Sequence, residues 1–420
     1  ITWEEKFNQK STLQLSFYSS LQKRENNRKT LLKDNLEEEY SFLDTLQTNF
    51  DQDLISHQTT TVGYWLNKGV FSLNLRSGLQ WSGLESKIFF PSKEAINKRY
   101  LAFIPSLGAN WEFDKGKNIS FNYGVSSQLP YGRQLREVLD QRNRLSLYLG
   151  NSDLDQSVRQ NINLGINASY PEKKSTLSIF ISAWLTKKAI GNEIITPASD
   201  TTIVFKEAIN LNKGVQLRRP VNLREEKGMN MFFSYAFPIN LLKSNFGVIS
   251  NFTYLGNPNL FNGQYYLTNL YEGRIGVNLS SNVNEKLDFK LYNNLNYNYF
   301  NSALSHQSSS KRLTVDSGLN IYWNFYKNFI FRSDFQNILN KDLSGSFDQN
   351  STVLDLGLSS RCLKNKRGLI AVSAFDILNN KVGLDYIVND IYLEESKREV
   401  MKRFFLLSFT YRISVSMKES

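Results

Sequence analysis

The residues able to do covalent or acid–base chemistry are few in this chain of 420 residues. There is one cysteine, Cys362, and two histidines, His57 and His306. A catalytic thiol needs a base beside it to hold the thiolate. Both histidines lie in polar Ser-His-Gln segments, and Cys362 reads as a structural residue that excludes an intramolecular disulfide. No His-x-x-x-His, Cys-x-x-Cys or Gly-x-Ser-x-Gly arrangement occurs, and there is no phosphate-binding glycine loop. Asp316, Asp334 and Asp376 fall on strands or at strand ends. The first two lie on or near polar positions where Arg332, Arg312 or Arg274 would hold them as ion pairs. Glu37-Glu38-Glu39 reads as a solvated charge run rather than a cation site. The expectation is a protein that is not an enzyme, with no cofactor and no metal.

What remains is a set of cations and amides embedded in apolar alternation. From Phe71, a period of two puts Phe71, Leu73, Leu75, Leu79 and Trp81 on one side and Ser72, Asn74, Arg76, Gln80 and Ser82 on the other. An arginine at mid-strand between apolar neighbours must face water or a partner. The same arrangement returns where Ile275, Val277 and Leu279 alternate with Arg274, Asn278 and Ser280. It returns again at the end of the chain, where Phe405, Leu407, Phe409, Tyr411 and Ile413 oppose Ser408, Thr410, Arg412 and Ser414. A membrane barrel turns its apolar side chains to lipid and its polar ones to a wet interior. Asn74, Arg76, Gln80, Arg274, Asn278 and Arg412 are therefore the candidates for a lumen face. Phe71, Leu73, Leu75, Phe405, Leu407 and Phe409 are the candidates for a lipid face.

The elements that must position these residues recur along the whole chain. About 16 alternating segments are legible, joined by short turns (Asn67-Lys68-Gly69, Asp114–Asn118, Pro171–Lys174, Tyr326–Asn328, Lys364–Arg367) that alternate with loops of up to about 30 residues. Gln22–Asp53 reads as a long solvated loop, Leu129–Gln156 as a connection with a helical turn at Gln134–Gln141, and Ala189–Pro220 as a mixed segment. A two-sheet sandwich gives no reason for short and long connections to sort so regularly, whereas a barrel inserted from one side does. Trp81, Trp111, Tyr170, Trp323 and Tyr411 gather towards strand ends, as an aromatic girdle would.

Composition agrees. Hydrophobic residues are 41%, charged residues 21% and aromatics 13%, and mean hydropathy is −0.39. No run approaches the roughly 18 apolar residues of a membrane-spanning helix, while alternation in a barrel dilutes hydropathy in just this way. The net charge of +11 is spread through short turns rather than gathered in a basic helix or a binding module, so nucleic acid is not expected as a partner. Ile1-Thr2-Trp3-Glu4-Glu5-Lys6 does not read as a signal peptide.

The C-terminal segments Val372–Asn380 (with Asp376-Ile377-Leu378-Asn379) and Arg403–Arg412 resemble the closing strands of TonB-dependent outer-membrane receptors, the nearest branch being the SusC-like β-barrels of Bacteroidota. Pro105-Ser106-Leu107, Leu129-Pro130, Gln134-Leu135 and Gly150-Asn151-Ser152-Asp153-Leu154 are similar to landmarks of that family. The resemblance implies an all-β fold, a transmembrane antiparallel up-and-down β-barrel in the cell outer membrane. About 16 of some 22 strands would be present and the plug domain absent, with residues 1–420 being the C-terminal barrel part of a larger receptor. It implies import of a nutrient such as a glycan, peptide or chelate. Outer-membrane lipid and a surface lipoprotein on the long loops are the implied partners, and the TonB system would engage only through a missing N-terminal part. The alternative is an outer-membrane barrel that serves as scaffold or assembly partner without transport.

Overall fold

A computed structural model describes every residue except 34–39, 46–47, 91–92, 207, 282–285, 303–308, 344, 346–347, 389–392 and 414–420. Glu37–Glu39 and His306 therefore lie outside the described residues. Among the described residues no helix is long and apolar enough to cross a membrane, which does not bear on strands.

Among the described residues, seventeen strands form one antiparallel wall. They are β1 (Thr2–Asn8), β2 (Ser11–Arg28), β3 (Asn49–Asn67), β4 (Phe71–Phe90) and β5, which runs Glu94–Phe103 and resumes at Ser106–Asp114 after Ile104-Pro105. Then come β6 (Lys117–Gln128), β7 (Ser157–Tyr170), β8 (Ser175–Lys187), β9 (Glu226–Ile239), β10 (Ser244–Phe261) and β11 (Gln264–Ser281). The wall ends with β12 (Leu287–Ser302), β13 (Ser309–Tyr326), β14 (Phe329–Asp342), β15 (Asp348–Cys362), β16 (Gly368–Phe375) and β17 (Phe404–Tyr411). Each strand pairs with the next in sequence, from Thr2↔Ser16 to Gly368↔Tyr411. The wall is thus an up-and-down meander, with one strand more than the alternation suggested. No ladder joins β1 to β17 among the described residues. Both run from the long-loop end to the short-turn end.

Connections sort by end. One end carries short turns, and four of these place a lysine in the left-handed region (Lys174 at φ 50°, Lys243 at 45°, Lys327 at 39°, Lys366 at 56°), a conformation a non-glycine residue accepts mainly in tight turns. The other end carries the long connections, but β10 and β11 meet there through the two-residue turn Asn262-Gly263, so the expected alternation of short turns and long loops breaks at that point. Gln22–Asp53 is not a loop throughout: β2 and β3 continue in register to Arg28↔Asn49. Ladder hydrogen bonds are backbone bonds, so charged side chains do not end a strand when one face has partners for them. The helical turn is confined to Gly132–Leu135.

The segment Ala189–Pro220 is also built rather than loose. Ile190–Ile195 pairs antiparallel with Gln216–Asn222, and Thr201–Val204 forms a hairpin with Ala208–Leu211. Ser146–Tyr148, from the preceding long connection, adds to Gln216–Arg218 in parallel. Leu147, Leu149, Ile209, Leu211 and Leu217 bury one another between the two connections. This is a hydrophobic core of ordinary kind, and it sits outside the wall.

Candidate functional site

The register carries one face of the wall without interruption from β1 to β17. Asn74 faces Trp65 and Gly108, Arg76 faces Gly63 and Ser106, and Gln80 faces Thr59 and Ala102. Followed through the ladders, that face also holds Arg159, Trp184, Gly228, Asn251, Arg274, Asn278, Asp316, Asp334, Arg361 and Arg412. All six lumen candidates therefore share one polar face. Phe71, Leu73, Leu75, Phe405, Leu407 and Phe409 share the opposite, aromatic face, where Phe405 and Leu407 are each 73% exposed.

The polar face is internally bonded. Arg76 Nε donates to Asn74 Oδ1 at 3.2 Å, and its guanidinium lies 5.0 Å from the Trp65 ring centroid. Arg274 donates to Asn294 Oδ1 at 3.0 Å, and Gln336 donates to Asp316 Oδ1 at 3.0 Å. Asp334 accepts from Asn320 at 2.8 Å and pairs with Arg332 at 2.6 Å. Nearer the loops, the Arg159 guanidinium lies 4.9 Å from the Trp184 ring, whose Nε1 donates to Glu226 Oε1 at 3.3 Å. The Trp184 indole lies flat across Gly228, where a Cβ would come within 2.1 Å of Cζ2. Only glycine admits the ring there.

The long connection 129–156 folds down onto this face, and a buried ion cluster fixes it. Arg136 Nη2 lies 2.6 Å from Asp51 Oδ2 and 2.6 Å from Asp53 Oδ1, and its Nε donates to Ser86 Oγ at 3.0 Å. Ser86 in turn donates to Asp53 Oδ1 at 2.6 Å, and Asn26 and Asn49 donate to Asp51 Oδ1. The Arg136 side chain is 8% exposed and that of Asp51 4%. Gly132 lets the loop backbone meet the wall, since a Cβ there would lie 2.1 Å from Asp53 Oδ1. Around this cluster Leu84, Leu135 and Leu154 are buried against Ile55, Ile96 and Ile190, and Tyr100 Oη donates to the Leu154 carbonyl at 3.3 Å. Ion pairing, a glycine contact and apolar burial act at one place. The loop is docked.

The second connection locks onto the first. Asn151 Nδ2 donates to the Pro220 carbonyl at 3.0 Å, and Arg219 Nη2 donates to Asn151 Oδ1 at 3.0 Å. Lys188 Nζ reaches Asp155 Oδ2 at 2.5 Å, and that bond holds the Asp155 carboxyl below the usual range against the opposing effect of burial. At Asp140 burial pushes the carboxyl up but is outweighed by the hydrogen bonds and charge of Arg142, with Arg133 adding to them. Arg133 also stacks 4.5 Å from the Tyr148 ring. These groups close a cavity of about 170 Å³ with Asn26, Arg28 and Arg136 on its other sides. The site can hold a polar ligand or a folded loop. Among the described residues, no group of three or more His, Cys, Asp or Glu is placed to bind a metal ion.

Sequence reading found the polar and aromatic faces but missed Arg136, Asp51, Asp53, Trp65 and Trp184. Gly63-x-Trp65 was a local hint, since a residue two along a strand shares a face. Nothing local marks Arg136 as the partner of aspartates some 80 residues earlier.

The aromatic face carries rings at two heights. The lower set lies near the short turns: Trp111–Phe113 at 5.7 Å between centroids, Tyr235–Phe237 at 5.3 Å, Phe237–Phe246 at 5.5 Å and Trp323–Phe325 at 5.4 Å. The upper set includes Trp81 and the row Tyr254–Tyr271 (5.0 Å) and Tyr271–Tyr299 (5.9 Å, stacked). The sets are about eight to ten residues apart along a strand, roughly 20–25 Å across a tilted sheet, which is the height of a membrane barrel's apolar band.

A comparison with curated proteins finds no match. The model of a family described as "Outer membrane protein beta-barrel family" matches residues 1–298, from β1 through most of β12 with both docked connections included. The place of the molecule is the outer membrane, and the chain belongs to the outer membrane protein β-barrel family.

Proposed function

We propose that this barrel is the membrane-embedded part of a TonB-dependent, SusC-like receptor that imports a nutrient such as a glycan, a peptide or a chelate. On this reading the polar face lines a wet bore and the aromatic face meets hydrocarbon. Asn74, Arg76, Gln80, Arg274, Asn278 and Arg412 then lie in the lumen, while Phe71, Leu73, Leu75, Phe405, Leu407 and Phe409 lie in lipid. The observation that carries the reading is the docking of connection 129–156 on the polar face by Arg136. A loop held inside a barrel shapes a receptacle at the mouth, whereas a barrel serving only as wall has no use for a buried ion cluster there. The protein does no covalent chemistry in this role, and its selectivity resides in loops and lumen.

Leu145, Val204 and Tyr131 stand exposed on the interlocked connections, an apolar surface that favours a surface lipoprotein seated on the loops. The same surface supports the second reading, a scaffold without transport. Uptake measured in cells with and without the protein, and again after an uncoupler, separates the two. Energy-dependent accumulation of a glycan, peptide or chelate is expected. Solute entry that neither needs the protein nor responds to the uncoupler would leave the scaffold reading standing.

A further inference from the structure

We infer that the short-turn mouth of the polar face binds a compact multivalent oxyanion of the pyrophosphate kind. A cavity of about 870 Å³ opens there between the ends of β14, β15, β16 and β17, within the range of small-molecule sites. Arg332, Arg361, Lys366, Arg367 and Arg412 line it, and no carboxylate does. Arg332 is engaged by Asp334 at 2.6 Å. Among the described residues no carboxylate pairs with the other four. Four like charges in one concavity repel one another, and an anion that enters removes that repulsion while gaining attraction from all four.

The shape of the cluster selects the class of anion. Arg361 lies at the end of β15, Lys366 and Arg367 lie in the turn that follows it, and the Arg412 backbone N–H donates to the Arg367 carbonyl at 2.8 Å. The charge is therefore concentrated at a point rather than drawn out in a line, which suits a small group with several oxygens better than an extended acidic peptide. Arginine forks grip such oxygens two at a time. Ser359, Ser373 and Thr410, also on the cavity wall, add neutral donors. A lipid headgroup is disfavoured because the cavity lies on the face opposite Phe405, Leu407 and Phe409. The inference rests on the proposal that the polar face is wet, not on nutrient import.

The test is pyrophosphate binding by the protein extracted from outer membranes in detergent, read by calorimetry at low and moderate salt. Saturable binding is expected. It should weaken at least tenfold in the double variant R361Q/R412Q and stay unchanged in R274Q, which alters the polar face elsewhere. Heat-modifiable gel mobility checks that each variant is folded. If R361Q/R412Q does not fold, R412K and R367Q are read instead, and each should weaken binding at least threefold. Absence of saturable binding by the folded wild type would overturn the inference. So would equal binding by the folded variants, or tighter binding of hexaglutamate or of short-chain phosphatidate than of pyrophosphate. Transport could persist through any of these failures, whereas thiol labelling of R76C only from the lipid phase would defeat the wet-bore reading itself.

Discussion

Replacing Arg136 by Gln tests the docked loop most directly. The guanidinium sits 2.6 Å from each of two carboxylates whose side chains are 4% and 15% exposed. At an effective dielectric of 20, each such contact has a gross Coulomb attraction of about 6 kcal/mol. Desolvation of the three charges offsets most of it. The useful magnitude is the cost of stranding the aspartates, about 3–5 kcal/mol when one partner of a buried pair is removed. If that cost falls on loop docking, the undocked population rises by about two to three and a half orders of magnitude. Amide exchange of residues 129–156 reads that population, because opening precedes exchange. The protection lost should return in part when Asp51 and Asp53 are also changed to Asn, since an intact neutral set strands no charge. Unchanged protection in R136Q, or a triple variant worse than R136Q, would refute the reasoning that this cluster holds the loop down.

Three further outcomes follow from the two faces and from the cap that the interlocked connections 129–156 and 188–225 form. Leu73→Arg should cost about 2–4 kcal/mol of folded-barrel stability if the residue lies near the bilayer midplane, whereas Arg76→Gln should fold nearly as well as wild type. Refolding into vesicles under denaturant titration measures both, and equal tolerance would mean the faces are reversed. Gly228→Ala should cost about 1–3 kcal/mol as the Trp184 ring is displaced, with a shift in tryptophan emission; an unaltered spectrum and midpoint would show that the ring does not rest there. The Asp155 carboxyl is held low by Lys188, so its contribution to cap stability is complete above the unfolded-state value near 4 and is lost as pH falls below it. Pepsin cleavage within residues 188–225 should therefore rise below about pH 4 in wild type. It should rise less in D155N, and equal acid sensitivity of the two would count against the assignment.

The wall was legible because each strand states its faces in its own residues. Phe71 to Trp81 alternate so regularly that a slip of one position would exchange every side chain between the faces, and the register observed keeps Arg76 opposite Gly63 and Ser106. Where the alternation broke down, reading failed in a consistent direction. Arg24, Glu25, Asp51 and Asp53 look like loop, yet they pair in β2 and β3. Gly191, Asn192, Arg219 and Pro220 look like part of a mixed segment, yet Asn192 pairs with Pro220 and Glu193 with Arg219 in an antiparallel ladder.

By itself, then, the sequence determined the meander, the sorting of turns from loops and the side of the wall on which each residue lies. These are properties of neighbours along the chain, which a period of two and the turn residues record locally. Only the tertiary structure decided that two long connections fold into a cap, that Arg136 joins Asp51 and Asp53, and that Arg361, Arg367 and Arg412 converge on one cavity. Those meetings depend on backbone brought together across many strands, and no residue's immediate neighbours carry the information.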